Sequence, residues 1–146
     1  MKTPRHAKIT TAVILAFGLS TIVASPAFAA NLTIEVSGDV GDKGAVMVAL
    51  YNASDKWMGK STAIRTTAAV KSGVSVTFND LAEGEYAVSL FIDENSNNKL
   101  DTNAVGMPIE PYAFSNDASG SFGPPSFDKA KFALGKDDKK HVITIR

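Results

Sequence analysis

Residues 74–92, VSVTFNDLAEGEYAVSLFI, decide the fold. Val74, Val76 and Phe78 are separated by Ser75 and Thr77. Tyr86, Val88, Leu90 and Ile92 are separated by Ala87, Ser89 and Phe91. In an extended chain successive side chains point to opposite faces, so this period of two reads as two strands, each with one face in a core. Between them, Asn79-Asp80-Leu81-Ala82-Glu83-Gly84 carries turn formers and reads as the turn.

The same alphabet extends in both directions. Upstream, Leu32, Ile34 and Val36 alternate with polar neighbours, and Ser37 to Gly44 holds three glycines and two aspartates, a turn region. Gly44 to Asn52 is apolar on both faces, with Val46, Val48 and Leu50 opposite Met47 and Tyr51. That pattern predicts a central strand. Residues 52–60 form a connection with Trp57 and Met58 as a local apolar anchor, and Ala63–Val70 reads as a weaker strand. Downstream, Lys131 to Leu134 starts a further strand, Gly135 to Lys140 is a polar turn, and His141 to Arg146 closes the chain with a last strand. No helical period appears after residue 30. The expectation is an all-β domain, an Ig-like antiparallel β-sandwich of about seven strands with one long structured loop.

The N-terminus follows a different logic. Lys2, Arg5, His6 and Lys8 are basic, Ile9–Val23 is an apolar run, and Ala27-Phe28-Ala29 places small residues where a signal peptidase reads. This is the three-part layout of a secretory signal peptide. The run ends at Pro26 and falls short of the roughly 20 apolar residues of a spanning helix. Residues 1–29 are thus expected to be cleaved, leaving residues 30–146 as a single domain, exported to the periplasm or the medium and without a membrane span. The whole chain balances 15 Lys/Arg against 15 Asp/Glu. Loss of Lys2, Arg5 and Lys8 leaves the domain mildly acidic, which argues against nucleic-acid binding. There is no cysteine, so an exported fold here must stand on packing alone.

One segment carries chemistry. Asp93-Glu94-Asn95-Ser96-Asn97-Asn98-Lys99-Leu100-Asp101 places side-chain oxygens at loop positions one, three, five and nine. Calcium takes six to eight oxygens at about 2.3–2.6 Å, and a tight loop with oxygens on alternate residues can wrap them around one point. Position six must turn sharply; Asn98 tolerates the left-handed backbone this requires. The Lys99 carbonyl supplies position seven, and Leu100 anchors the back of the loop to the core. Such loops end in a bidentate Glu at position twelve, which here is Ala104. Glu94 or Glu110 is the candidate replacement. The predicted metal set is therefore Asp93, Asn95, Asn97, Lys99, Asp101 and Glu110, with calcium as the ion. The competing reading is a turn in which Asp and Asn cap the backbone themselves.

Other chemistries find little support. No Gly-x-Ser-x-Gly elbow, cysteine nucleophile, zinc spacing or phosphate loop occurs. His141 reads as a surface residue. A non-enzymatic module is the first expectation. A carbohydrate-binding or carbohydrate-hydrolysing protein of the envelope is the alternative, using two of Asp93, Asp101 and Glu110. Residues 93–125 are long for a loop. Tyr112, Phe114, Phe122 and Phe127 predict that the excursion packs on the sandwich. With Trp57 they read as caps on an open end, or as a face for a sugar or an envelope protein.

Gly84-Glu85-Tyr86-Ala87-Val88, the Asp93–Asp101 loop, Gly106-x-Pro108-x-Glu110 and Tyr112-x-Phe114-Ser115-Asn116 together resemble an exported bacterial family known as domain of unknown function 2141 (DUF2141). The resemblance runs from the Gly44 strand to the C-terminus. It implies a sandwich similar to prealbumin or the collagen-adhesin B domain and no established activity. It also implies that Tyr86 packs at a corner after Leu81-x-x-Gly84. This chain carries Asn98 and Ala113 where the family more often has glycine.

Overall fold

The structure is a computed structural model, and it describes residues 29–146. The signal-peptide reading lies outside the described residues, apart from Ala29. Among the described residues eight strands form: β1 (Ala29–Gly38), β2 (Ala45–Tyr51), β3 (Ala63–Ala68), β4 (Val74–Ala82), β5 (Gly84–Asp93), β6 (Tyr112–Phe114), β7 (Phe132–Leu134) and β8 (Lys139–Ile145). Three short helical turns also form among the described residues, two of the 3₁₀ type (Ser54–Lys56 and Ser115–Asp117) and α1 (Phe127–Ala130) before β7, so the expectation of no helix is corrected by these single turns. The strand that periodicity missed is β6, whose three residues are too few to show a period.

Two sheets face each other. One has the order β4-β1-β8, and the other β3-β2-β5-β6 with β7 also paired to β5. The expected sandwich is present, and β2 is internal as its two apolar faces required. Pairing is antiparallel except between β1 and β8, which run parallel.

The core follows the period of two. Leu32, Ile34 and Val36 of β1, Val46, Val48 and Leu50 of β2, Val88, Leu90 and Ile92 of β5, and Ile143 and Ile145 of β8 are all at most 2% exposed. Burying each such side chain contributes roughly 1.5–3 kcal/mol.

Residues 79–84 do more than turn. β4 runs through to Ala82, with Asp80 at φ 56° and a register shift opposite Ala30 and Leu32. A bulge of this kind bends the strand, and here the chain leaves one sheet and enters the other. Tyr86 secures that crossing: it is buried, and its hydroxyl donates to the Ala82 carbonyl at 2.8 Å. Burial pushes the Tyr86 hydroxyl above its usual pKa. The corner role implied for Tyr86 is met.

A second, smaller cluster lies on the outer face of the five-stranded sheet. Tyr51, Ala87, Phe127 and Ala130 are buried there, with Ala49 and Trp57 packed against them. The Trp57 ring meets Tyr51 at 5.0 Å, Phe114 at 5.9 Å and Phe127 at 6.0 Å between centroids. Its indole N–H donates to the Pro125 carbonyl at 2.7 Å. Trp57 thereby pins the long excursion to the sheet. The aromatic side chains cover a sheet face rather than an open end, and Phe122, expected to pack, is fully exposed.

Candidate metal-binding loop

The loop begins where β5 ends. Asp93 is the last residue of β5, opposite Ala45 of β2. Gly44 makes that close: it has φ +73°, and a side chain there would overlap the Asp93 carbonyl oxygen. Neighbouring backbone therefore covers Asp93, which is 2% exposed.

A buried carboxylate must be paired or hydrogen-bonded, and Asp93 is. Its Oδ1 accepts the Asn97 N–H at 3.0 Å and its Oδ2 the Asn98 N–H at 2.7 Å. This folds the loop back over its first residue. Asn98 has φ 62°, the left-handed turn anticipated at position six, and Ser96 has φ 64°. Asn95 Oδ1 accepts the Asn97 N–H at 3.1 Å, and Asn97 Oδ1 accepts the Lys99 N–H at 2.8 Å. Asp101 closes the ring: Asn95 Nδ2 donates to its Oδ2 at 2.6 Å and Asn97 Nδ2 to its Oδ1 at 2.9 Å.

Glu110 arrives from a separate piece of chain. Residues 102–108 form a small hairpin, with a bridge between Thr102 and Pro108 and a turn organised by Asn103 Oδ1, which accepts the Val105 and Met107 N–H groups. The return of that hairpin buries Glu110 to 6% exposure. Its Oε1 accepts the Glu94 N–H and its Oε2 the Asp101 N–H, both at 2.9 Å. One carboxylate thus staples the two ends of the loop together.

The structure therefore gathers Asp93, Asn95, Asn97 and Asp101 on one another, ties in Lys99 through its N–H, and adds Glu110 at the base. Glu94 contributes its N–H, while its side chain is exposed. Ala104 sits at the exposed hairpin tip. Leu100 anchors the loop elsewhere than expected. It is half-buried and lines a depression of about 280 Å³ on the outer sheet face, beside Met47, Phe91 and Tyr112, not the main core. Among the described residues no three His, Cys, Asp or Glu side chains form a metal-binding group. Any ion here would rely on amide and backbone oxygens as much as on carboxylates, a donor set suited to a hard cation such as calcium.

Sequence reasoning missed a second polar cluster, although its residues belong to the Tyr112–Asn116 motif. Ser115 is fully buried; its Oγ accepts the Val88 N–H at 2.9 Å and donates to the Ala130 carbonyl at 2.6 Å. Asn116, at φ 60°, donates through Nδ2 to the carbonyls of Lys129 at 3.2 Å and Lys131 at 2.8 Å. These residues bind β6, α1 and β5 into one unit. His141, expected at the surface, is half-buried. It stacks on Phe132 at 4.0 Å between centroids, and its Nε2 accepts the Asn116 N–H at 3.3 Å. Burial, then the Lys139 charge, lowers its pKa, against a smaller opposing effect of Asp117.

Fold and loop define a class: a two-sheet β-sandwich with a self-closed Asp/Asn loop at the end of a central strand. The family described as "Uncharacterized protein conserved in bacteria (DUF2141)" matches residues 34–142, and the chain belongs to it. No curated protein and no solved structure matches the chain.

Proposed function

We propose that this chain is an exported, non-enzymatic β-sandwich module whose Asp93–Asp101 loop binds calcium. The observation that carries the metal reading is the hydrogen-bonded ring in which Asp93 and Asn95 hold the Asn97 N–H and the Asn95 and Asn97 amides hold Asp101, with N–H···O distances of 2.6–3.1 Å, around a left-handed Asn98. Asn95 and Asn97 aim their amide nitrogens at Asp101 and their oxygens at the Asn97 and Lys99 N–H groups, so an ion would enter by displacing the two amide donors from Asp101 and drawing the amide oxygens off those N–H groups. Calcium supplies the positive charge that those oxygens then need.

The non-enzymatic part rests on the carboxylates themselves. Both oxygens of Asp93, Asp101 and Glu110 accept an N–H within the loop. A glycoside hydrolase needs two carboxyl groups facing each other across an open cleft; this arrangement turns them into a closed loop. Export is supported by the basic, apolar and Ala-x-Ala succession of residues 2–29.

The same hydrogen bonds close the loop without an ion, so the test is whether calcium adds stability. Affinity in the extracellular range, about 10⁻⁴–10⁻³ M, is expected without the position-twelve Glu. Calcium at 100 times its dissociation constant should then raise unfolding free energy by about 2.7 kcal/mol. Thermal melts in calcium at about 10–100 mM, 100 times that dissociation constant, and in chelator measure this. Asp101→Asn should keep the fold and abolish the shift. Equal melting temperatures with and without calcium in the wild-type protein would leave a self-capped turn.

A further inference from the structure

The five-stranded sheet ends at β6, whose outward backbone groups have no partner among the described residues. In an antiparallel ladder only alternate residues direct their N–H and C=O toward the partner strand. The Ile92 N–H donates to the Pro111 carbonyl at 2.9 Å, and the Val88 N–H goes to Ser115 Oγ. With Leu90 opposite Ala113 in this register, Ala113 faces β5. The N–H and C=O groups of Tyr112 and Phe114 therefore point away from β5, to the free edge.

Every other outer strand has a polar side chain bonded to its backbone. Arg65 of β3 donates from Nη1 to the Ile64 carbonyl of its own strand at 3.1 Å and from Nε to the Thr77 carbonyl of β4 at 3.3 Å, tying those two edges together. Lys139 donates to the Ala133 carbonyl of β7 at 2.8 Å, and Asp117 Oδ1 accepts the Thr144 N–H of β8 at 3.2 Å. Proteins manage sheet edges in these ways because an unpaired edge is a template for another strand. Among the described residues nothing does this for Tyr112 and Phe114. Their edge instead borders a groove of about 480 Å³, lined also by Ile109, Pro111, Gly120, Gly123, Thr144 and Arg146.

We propose that this groove binds an extended peptide segment of another protein, which adds a strand to β6. A peptide fits because the groove offers backbone donors and acceptors at strand spacing, the chemistry of strand addition. Exposed Ile109 and Tyr112 at the rim offer an apolar contact for alternate side chains. A second folded copy fits less well, since the edge offers only the two outward residues of a three-residue strand, too short for a sheet-to-sheet seam. The proposal is independent of the calcium loop and uses none of its ligands.

Linear peptides selected from a phage-displayed library on the purified protein supply the probe. In the free protein the Tyr112 and Phe114 amides should exchange with solvent far faster than Ala113, and a selected peptide should slow both. Tyr112→Pro removes one outward N–H without breaking the β5 ladder; it should weaken the peptide about tenfold, while Tyr112→Ala keeps most of the affinity. Should the proline variant misfold, the exchange measurement decides alone. Four results would each overturn the idea: Tyr112 and Phe114 amides as protected as Ala113 in the free protein, no selected peptide, equal binding by the proline variant, or protection that rises with protein concentration alone.

Discussion

Glu110 shows what one side chain does here. It lies beyond the loop it serves and satisfies N–H groups at both ends of it, those of Glu94 and Asp101. Glu110→Gln keeps the shape but offers one oxygen where two were used, and sets an N–H against an N–H. Leaving a buried donor unsatisfied costs about 1–3 kcal/mol. The variant should therefore show a lower urea midpoint at unchanged slope, with faster amide exchange at Glu94 or Asp101. Much of the loop was legible at this scale. The alternate oxygens of residues 93–101 and the tolerance of Asn98 for a left-handed backbone are local properties, and the structure has Asn98 in that conformation. The part Glu110 plays was half legible: its sequence position suggested a missing carboxylate, but only the return of the 102–108 hairpin gives it two N–H groups to hold.

At the scale of elements, the joint between β2 and β5 matters most, because it sets where the loop starts. Gly44 is its hinge. A Cβ there meets the Asp93 carbonyl, and its φ of +73° is a left-handed conformation that costs an L-residue roughly 1–2 kcal/mol. Gly44→Ala should lose at least that much in chemical denaturation, and the loss should be accompanied by a weaker calcium response, because Asp93 is displaced with the strand end. The elements themselves were mostly visible in the sequence. Period-two strands such as β1 and β5 announce themselves because alternate side chains are buried along their length. β6 and α1 did not, since three or four residues carry no period and both are held by distant partners, Ser115 on Val88 and Ala130.

For the whole molecule, the closing of the sandwich depends on where its first and last strands meet. β8 returns to lie parallel to β1, and His141 joins it to Phe132 of β7 and to the Asn116 N–H. The fold favours neutral His141, whose Nε2 must accept. Its folded-state pKa is lowered, so its contribution to stability is complete above the unfolded value of about 6.5. That contribution declines as pH falls through this value and is gone once pH drops below the folded-state value. Urea unfolding between pH 7.5 and 5 should show this fall, and His141→Gln should flatten it. The sequence by itself determined an all-β sandwich, the places of its main strands along the chain and the segment rich in side-chain oxygens, because burial of alternate side chains and the turn chemistry of Asn, Asp and Gly act over a few residues. Only the tertiary structure decided that β1 and β8 pair in parallel, that Trp57 covers a sheet face, that Glu110 closes the loop, and that β6 keeps an open edge. Those features join residues far apart along the chain, and no local pattern encodes which distant groups will meet.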